Sequence, residues 1–333
     1  MAFPSPTHFN IVALETVFTP MPELMVPAPH TFALTEHQKT KIEQIPERIK
    51  DADIVITTTI ALSANTLSAE SCPKLKLVIA LAAGTDSIDR AACKARGILV
   101  LNSPDCNSDS VAEHGLAMYF ALRRSILPSM AELRAGSWPQ RGTLMYSVYA
   151  ADEPPRSCKN ETAVVIGYGN VGRKAVKLLQ QVGMEVIIAG RKGVYPVQDG
   201  RTDFEEAIKK ATVIVLCCPR SPETLDLLTE REFTMMRRDA LLINLSRGGV
   251  VSEHQLLAAL RGGLIAGAAV DVFEKEPASP QTSPLLSADI EPHLNLVTTP
   301  HTAWIGQETT SNYQVMLQNN LNAFVLGQIS VDK

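Results

Sequence analysis

The chain has 333 residues, 45% of them hydrophobic, and its 31 basic and 35 acidic residues give a formal net charge of −4. This length exceeds one ordinary hydrophobic core and indicates two domains. The balanced charge, the lack of a basic stripe and the lack of an 18-residue apolar run argue against nucleic acid and against a membrane as partners.

The six cysteines are scattered along the chain and form no C-x-x-C pair. Several lie in apolar segments, which favours reduced thiols packed as small hydrophobic side chains over a disulfide framework or a metal site. The first ten residues resemble neither a secretory signal nor a transit peptide, and residues 331–333 are not a peroxisomal signal. We therefore expect a cytoplasmic enzyme without a bound metal.

Apolar runs rich in β-branched residues alternate with helical patterns in the first hundred residues. Four prolines between residues 20 and 29 predict an irregular segment, residues 64–72 suit a helix or a loop, and residues 89–96 form a predicted helix. Continuous apolar strands are typical of a parallel sheet that is covered on both faces, so this half forms an α/β layer. Its strands are predicted within residues 8–18, 52–58, 75–82 and 98–102.

A long helix is predicted next, because apolar residues recur every three or four positions from residue 110 to residue 134. The following stretch, residues 136–160, has no clean period and carries Pro139, Pro154 and Pro155. We interpret it as an extended arm. An irregular arm of this length needs a surface to pack on, and a partner subunit is one candidate.

A turn with three glycines follows the predicted strand at residues 163–166. The first glycine permits a sharp turn, the second lets the backbone approach a pyrophosphate, and the third lets the next helix pack closely on the strand. The N-terminus of that helix offers free N–H groups to phosphates. This context favours dinucleotide binding over a purely structural turn. The residues concerned are Gly167, Tyr168, Gly169, Asn170, Val171 and Gly172.

Strands and helices alternate again after the glycine turn, which predicts a doubly wound parallel sheet. On such a sheet, ligands bind at the carboxyl ends of the strands. Helices are predicted at residues 204–210, 229–236 and 253–261. The strands are predicted at residues 185–189, 212–217, 240–245, 265–270 and 294–298.

Three residues with acid–base or anion-binding side chains follow predicted strand ends: Arg247, Glu276 and His301. Each has an ordinary structural explanation on its own, as a surface charge, an acid at a helix start or a histidine in a turn. Together they would supply a guanidinium for a carboxylate and a histidine whose protonation a nearby carboxylate tunes. A substrate with a carboxylate beside a carbonyl would use all three.

The glycine turn and the segments around Arg247, Glu276 and His301 resemble the D-isomer-specific 2-hydroxyacid dehydrogenase family. This family includes glyoxylate/hydroxypyruvate reductases, glycerate dehydrogenases and phosphoglycerate dehydrogenases. The resemblance extends over roughly residues 50–325, and several motifs in the right order are more specific than the glycines alone. The motifs are GTD at 84–86, VAEH at 111–114, GYGNVG at 167–172, NLSRG at 244–248, DVF at 271–273 with EP at 276–277, and TPH at 299–301 with AW at 303–304.

The resemblance implies two Rossmann-like α/β domains with doubly wound parallel sheets. A discontinuous substrate domain would comprise residues 1–105 and 302–333, and a dinucleotide-binding domain would comprise residues 106–301, with the active site in the cleft. The resemblance and the arm also imply a homodimer, in which the arm near Tyr146 and Tyr149 would shape the pocket of the partner subunit.

By position in the family motifs, His301 would protonate the substrate carbonyl as hydride arrives, and Glu276 would keep the imidazole protonated and oriented. Arg247 would bind the substrate carboxylate and polarise the carbonyl. Backbone N–H groups around Ala83 and Gly84 would hold the other carboxylate oxygen. The resemblance also implies that Asp271 contacts the nicotinamide carboxamide.

The choice of nicotinamide cofactor depends on the residue that follows the second strand of the dinucleotide-binding domain. NAD-preferring sites have an acidic residue about 20 positions after the glycines, and Gly190 stands at that position here, followed by Arg191 and Lys192. Their charges predict a 2′-phosphate and hence NADPH, although a solvated loop pair would look the same. The segment Pro219-Arg220 after a neighbouring strand is a further candidate for this phosphate.

The sequence restricts the identity of the substrate less than that of the cofactor. Trp304 resembles the glycerate and hydroxypyruvate subgroup, whereas Thr57, Thr58 and Thr59 are either hydroxyl donors to a polyhydroxylated tail or ordinary strand residues. Glyoxylate, hydroxypyruvate and sugar-derived 2-keto acids fit, and bulkier 2-keto acids stay open. A rival hypothesis is a nucleotide-sensing corepressor on the same fold. A formate-type dehydrogenase is disfavoured, because Glu276 supplies an acid partner that those enzymes lack.

Overall fold

The structure is a computed structural model that describes residues 7–149 and 154–329. Residues 150–153 of the predicted arm and the C-terminal residues 330–333 lie outside the described residues, as do residues 1–6. The strands are β1 (His8–Ala13), β2 (Thr31–Glu36), β3 (Ile54–Thr57), β4 (Leu77–Ala80), β5 (Leu99–Leu101), β6 (Thr162–Ile166), β7 (Glu185–Ile188), β8 (Val213–Leu216), β9 (Leu241–Asn244), β10 (Gly267–Val270) and β11 (Leu296–Thr298).

The α-helices alternate with these strands through most of the chain. They are α1 (Ile45–Ile49), α2 (Arg90–Ala95), α3 (Ser108–Arg123), α4 (Ile126–Arg134), α5 (Ser137–Arg141), α6 (Met145–Val148), α7 (Asn170–Gln181), α8 (Phe204–Lys210), α9 (Glu230–Met235), α10 (Glu253–Arg261) and α11 (Gln307–Val325). Short 3-10 helices occur at Ile42–Gln44, Cys158–Asn160 and Pro284–Leu286.

The chain divides into two compact units. The first comprises Met1–Asn107 and Ile305–Lys333, and the second comprises Ser108–Trp304. The first unit is therefore built from two separate stretches of the chain, because α11 joins it from the C-terminal side. Each unit contains one parallel sheet with helices, which confirms the prediction of two α/β domains.

The sheet of the first unit has five parallel strands in the order β2-β1-β3-β4-β5. Strands β3 and β4 are buried along their whole length, as their continuous apolar runs predict. One face packs on a cluster that contains Val55, Val78 and residues of α1. The prolines before β2 do form an irregular segment, as expected.

The sheet of the second unit has six parallel strands in the order β11-β10-β9-β8-β6-β7. Successive strand residues enter two different hydrophobic clusters, because side chains alternate between the faces of a strand. Val164, Ile214 and Leu242 lie in one register row and one cluster, and their neighbours Val165 and Val215 lie in the other. Burial on both faces, worth about 1.5–3 kcal/mol for each large apolar side chain, explains the uninterrupted apolar runs.

The direction of strand order in this second sheet reverses beside β6, since β7 lies on one side of it and β8 on the other. Ligands bind on such sheets where the carboxyl ends of the strands diverge at a reversal of this kind. The glycine turn leaves β6 at this end, and the segment with Pro219 and Arg220 follows β8 there. The fold therefore places the predicted dinucleotide turn at the reversal point.

The sequence does not predict strand β2, and two local predictions differ from the structure. Strand β2 has a half-exposed pattern that carries little sequence signal, and it lies at the edge of its sheet. The single helix expected over residues 110–134 is two helices, because Ser125 adopts a left-handed conformation with φ of 45°. The arm is not simply extended, since it contains the short helices α5 and α6.

All six cysteines are free thiols. Within residues 7–149 and 154–329, no group of three or more histidine, cysteine, aspartate or glutamate side chains is arranged to hold a metal ion. In the same ranges, no helix combines the length and the apolar character that crossing a membrane requires.

Candidate active site

Three neighbouring loops of the second unit carry the predicted chemistry. Strands β9, β10 and β11 are adjacent and parallel, so the loops that follow their carboxyl ends emerge side by side. Arg247 lies in the loop after β9, Glu276 in the loop after β10 and His301 in the loop after β11. The sheet thus brings together three residues that are separated by 29 and 25 positions in the sequence.

His301 and Glu276 are hydrogen-bonded. The Nδ1 atom of His301 lies 2.7 Å from Oε2 of Glu276, and Oε1 of Glu276 accepts the backbone N–H of Phe273 at 2.9 Å. Burial raises the pKa of Glu276, but the hydrogen bond and charge of His301, the Phe273 N–H and the charge of Arg247 outweigh it and hold this pKa below its ordinary value. The carboxylate is therefore ionised at neutral pH and able to orient the imidazole.

The backbone of His301 has a left-handed conformation, with φ of 51°. This is an uncommon conformation for a residue with a side chain, and it persists where surrounding contacts fix it. Its N–H donates to the carbonyl oxygens of Asp271 and Thr299 at 2.8 and 3.0 Å, and its own carbonyl oxygen accepts Nε1 of Trp304 at 2.9 Å. These contacts hold the backbone on both sides of the imidazole.

Asp271 anchors the loop that carries His301. Its carboxylate is almost fully buried and accepts the Thr299 hydroxyl at 2.6 Å and the N–H groups of Thr302 and Ala303 at 2.9 and 3.0 Å. The Nε2 atom of His114, on α3, lies 3.1 Å from the same Thr299 hydroxyl. Asp271 therefore stabilises the loop of His301 by direct hydrogen bonds.

The side chain of Asn244 shapes the turn that presents Arg247. Its Oδ1 accepts the N–H of Ser246 at 3.0 Å and the Ser246 hydroxyl at 2.7 Å, and its Nδ2 donates to the carbonyl oxygen of Arg247 at 3.2 Å. Gly248 follows, and a Cβ atom there would lie 1.7 Å from the carbonyl oxygen of Phe273. Only glycine lets this loop pack against the loop that leads to Glu276.

The glycine turn has the shape that a dinucleotide needs. A Cβ at Gly167 would lie 2.5 Å from the backbone nitrogen of Cys218, and one at Gly172 would lie 2.1 Å from the carbonyl oxygen of Gly167, so neither position admits a side chain. A Cβ at Gly169 would meet no non-neighbouring atom within 4 Å. This open space stands at the N-terminus of α7, where phosphates are stabilised by free N–H groups. The turn therefore fits a nicotinamide dinucleotide.

The end of β7 holds the residues predicted to choose the cofactor. Gly190 is buried and Arg191 is exposed. The ammonium of Lys192 lies 2.8 Å from a carboxylate oxygen of the fully buried Glu232 and donates to the carbonyl oxygen of Leu227 at 2.9 Å. Burial raises the pKa of Glu232, but the Lys192 ammonium and the hydrogen bonds from Thr229 hold it below its ordinary value. Lys192 is thus engaged inside the protein, unlike Arg191.

Arg220 and Pro219 are exposed after β8, and the guanidinium carbon of Arg220 would lie 3.5 Å from a Cβ at Gly249. In the first unit, Ala83 and Gly84 follow β4, and the carbonyl oxygen of Ala83 accepts Nδ2 of Asn102 at 2.7 Å. Within the described part of the chain, the N–H groups of Ala83 and Gly84 donate to no other group of the protein. They are therefore available to an anion.

Sequence reasoning missed several residues that support the site. Asn244 and Thr299 lie inside the quoted motifs, yet their roles are hydrogen bonds to the backbone of turns that only the structure defines. Glu232 stands three residues after Thr229 in a capping box, a pattern visible in the sequence, but the pattern predicts a helix start and not an ion pair with Lys192.

Comparison with known proteins agrees with this geometry. Residues 116–303 match the family model described as D-isomer specific 2-hydroxyacid dehydrogenase, NAD binding domain. Glycerate dehydrogenase of Methylorubrum extorquens is 36% identical over 300 residues, which are 90% of this chain and 91% of that protein. Glyoxylate reductase of Thermococcus litoralis is 31% identical over 291 residues, which are 85% of this chain and 83% of that protein.

Solved structures agree on the fold. A crystal structure of the NADPH-dependent glyoxylate/hydroxypyruvate reductase of Sinorhizobium meliloti with citrate superposes with a TM-score of 0.72 at 24% identity, covering 95% of this chain and 94% of that chain. The family model and the two relatives confirm the family resemblance expected from the motifs. The chain belongs to the D-isomer specific 2-hydroxyacid dehydrogenase family and is a nicotinamide-dependent enzyme that interconverts a 2-keto acid and a 2-hydroxy acid.

Proposed function

We propose that this protein is an NADPH-preferring reductase that converts a small 2-keto acid to the D-2-hydroxy acid. The observation that carries the proposal is the His301–Glu276 pair of 2.7 Å, which joins the loops after β11 and β10, next to the loop after β9 that presents Arg247. A proton donor, its orienting carboxylate and a carboxylate-binding guanidinium are the groups that reduction of a 2-keto acid requires.

In the proposed mechanism, His301 delivers the proton. Its Nδ1 is engaged by Glu276, so Nε2 is the ring nitrogen that faces the substrate carbonyl oxygen. Glu276 keeps the imidazole oriented and favours its protonated form. The bound reduced nicotinamide supplies the hydride.

Arg247 is assigned to the substrate carboxylate, for which a guanidinium offers two parallel N–H donors. The free N–H groups of Ala83 and Gly84 are assigned to the second carboxylate oxygen. Asp271 acts in this proposal by fixing the loop of His301, and its expected contact with the nicotinamide carboxamide stays a prediction.

The preference for NADPH rests on the end of β7. Gly190 places no carboxylate where an NAD site has one, so a 2′-phosphate meets no repulsion there. The exposed guanidiniums of Arg191 and Arg220 are candidates to pair with that phosphate. The glycine turn at residues 167–172 is assigned to the pyrophosphate.

The names of two relatives, a glycerate dehydrogenase and a glyoxylate reductase, support a small substrate. We therefore propose glyoxylate, hydroxypyruvate or a sugar-derived 2-keto acid. The contact of Trp304 with the backbone of His301 places an indole beside the proton donor, where it would restrict the size of the substrate.

We further propose a homodimer. Large apolar side chains are exposed along consecutive helices α3 to α6, and a run of this kind is typical of an interface. Among them are Phe120, Ile126, Met130, Leu133, Trp138 and Tyr146. Light scattering coupled to size exclusion tests this directly, since a dimer has twice the 36.1 kDa chain mass.

One assay tests the proposed activity. The purified protein is mixed with NADPH or NADH and with each of the candidate 2-keto acids, nicotinamide oxidation is followed, and the product enantiomer is determined. We expect faster turnover with NADPH and a D product. A preference for NADH would overturn the cofactor proposal. Tight cofactor binding without turnover of any 2-keto acid would favour a nucleotide-sensing protein instead.

A further inference from the structure

The two cations at the end of β7, Arg191 and Lys192, differ in their surroundings. Lys192 lies 2.8 Å from the buried carboxylate of Glu232 and 2.9 Å from the carbonyl oxygen of Leu227. Turning its ammonium towards a phosphate would leave Glu232 buried without its counter-charge, which is costly. Lys192 is therefore a poor candidate for the 2′-phosphate, which leaves Arg191 and Arg220 among the cations named so far.

Arg201 is fixed at the same end of β7. Residues 190–202 form a closed loop, since the N–H of Gly190 donates to the carbonyl oxygen of Thr202 at 2.7 Å and the N–H of Thr202 donates to that of Ile188 at 2.9 Å. Arg201 directly precedes Thr202, the residue through which the loop closes. Its Nη1 donates to the carbonyl oxygen of Ala189 at 3.3 Å, one residue before the position that decides the 2′ substituent.

Tyr168, the second residue of the glycine turn, joins Arg201 to that turn. The guanidinium carbon of Arg201 lies 5.5 Å from the centre of the Tyr168 ring, and that of Arg173 lies 5.7 Å from the same centre. Contacts of this length are within the range of cation–π attraction. The positively charged guanidiniums of Arg173 and Arg201 therefore both lie near the Tyr168 ring, beside the predicted dinucleotide turn.

Two carboxylates of this region, Asp203 and Glu223, interact with groups other than Arg201. Asp203 accepts the Tyr195 hydroxyl and the N–H groups of Glu205 and Glu206 at the start of α8. Hydrogen bonding by Ser221 and the charge of Arg191 hold the pKa of Glu223 below its ordinary value. In the described ranges, no carboxylate forms an ion pair with Arg201. An anion that arrives at Tyr168 would thus meet guanidiniums whose charge the protein has not neutralised.

We propose that Arg201, positioned by Tyr168 and Ala189, is a cofactor-binding residue that pairs with the 2′-phosphate and so helps to set the preference for NADPH. The phosphate chemistry alone would also fit the pyrophosphate. The 2′-phosphate is favoured because Arg201 is tied to the end of β7 through Ala189, whereas the glycine turn and the N-terminus of α7 serve the pyrophosphate.

This inference rests on the proposed NADPH preference. The test measures binding without turnover, by calorimetry, using adenosine 2′,5′-bisphosphate and adenosine 5′-monophosphate, which differ only in the 2′-phosphate. In Arg201→Gln, we expect binding of the bisphosphate to weaken roughly tenfold, the effect of losing one charge-assisted hydrogen bond. Binding of the monophosphate should change less than twofold.

Two further variants keep the test decisive. Arg201→Lys retains the charge and should recover part of the lost affinity, which a merely disrupted loop would not show. Arg261→Gln removes an exposed guanidinium that pairs with Glu291 and should leave both affinities unchanged.

The outcomes separate the two proposals. If the wild type does not prefer the bisphosphate, the NADPH proposal itself fails. If the wild type prefers it and Arg201→Gln keeps that preference, only the role of Arg201 is overturned. An equal loss of both ligands in Arg201→Gln would assign the residue to the pyrophosphate or to loop structure, and would also overturn the inference.

Discussion

Oε2 of Glu276 lies 2.7 Å from Nδ1 of His301, while Oε1 of the same carboxylate accepts the N–H of Phe273. The backbone bond fixes the carboxylate, and the carboxylate fixes the ring. The pKa of Glu276 is held below its ordinary value although burial opposes this. The group that orients His301 is thus negatively charged at neutral pH.

Replacing Glu276 with Gln should change the pH dependence of catalysis. The amide keeps the size of the side chain but removes the negative charge that favours a protonated imidazole. We expect the alkaline limb of the kcat profile for 2-keto acid reduction to move to lower pH. The loss of kcat at neutral pH should stay within the about 10²- to 10⁴-fold that general acid–base catalysis contributes. A profile with an unmoved alkaline limb would contradict this assignment.

His301→Ala and Arg247→Ala should fail in different ways. The first should lower kcat by about 10²- to 10⁴-fold and leave cofactor binding intact, because the proton donor is lost. The second should also weaken substrate binding by about 1.5–3 kcal/mol, because a hydrogen-bonded charge is lost. Steady-state kinetics and cofactor titration distinguish the two patterns. Near-normal reduction by His301→Ala, or an unchanged KM in Arg247→Ala, would refute the respective role.

The sequence predicts that Arg247, Glu276 and His301 lie close together, for a simple physical reason. Continuous apolar runs identify the strands of a parallel sheet, and parallel strands place their following loops at one edge. Arg247 and His301 each come directly after such a run. The strand pattern alone therefore predicts that these residues are neighbours, without any knowledge of side-chain conformations.

Other features depend on packing that the sequence pattern does not encode. The ion pair of Lys192 and Glu232 joins residues 40 positions apart in sequence and requires α9 to lie against the end of β7. The break at Ser125 interrupts an otherwise continuous helical pattern. Strand β2 is half exposed at a sheet edge, so tertiary pairing with β1 decides its conformation.

Thr299→Val should loosen the loop that carries His301. The hydroxyl of Thr299 donates to Asp271 at 2.6 Å and lies 3.1 Å from Nε2 of His114, so valine leaves a buried carboxylate with one donor fewer. We expect a loss of about 1–3 kcal/mol in unfolding free energy together with a lower kcat. Denaturant titration and kinetics measure both. Thr299→Ser restores the hydroxyl and should recover activity; equal defects in the two variants would argue against the hydrogen bond.

Glu232→Gln should destabilise the protein in a pH-dependent manner. Lys192 loses its counter-charge, and since its side chain is 28% exposed we expect a cost of about 1–3 kcal/mol at pH 7. The folded-state pKa of Glu232 is lowered, so its contribution is present above the ordinary glutamate value of 4.5 and is lost as pH falls through the lower folded value.

The difference between wild type and Glu232→Gln should therefore narrow below pH 4.5. Urea unfolding at several pH values measures it. Glu230→Gln, at an exposed position of the same helix, is the matched control and should show little change. A difference that stays constant with pH would mean that the charge of Glu232 contributes nothing.

Gly190→Asp with Arg191→Gln should reverse the cofactor preference, because the new carboxylate repels a 2′-phosphate and accepts a ribose hydroxyl. A Cβ at Gly190 would lie 3.1 Å from Cγ1 of Val197 and 3.3 Å from the carbonyl oxygen of Thr202, so the aspartate needs room. We therefore combine it with Val197→Ala, and Val197→Ala alone is the control. The ratio of NADPH to NADH affinity should fall by roughly ten- to a hundredfold relative to that control. If the folded triple variant keeps the same ratio of NADPH to NADH affinity as the control, other residues recognise the 2′-phosphate.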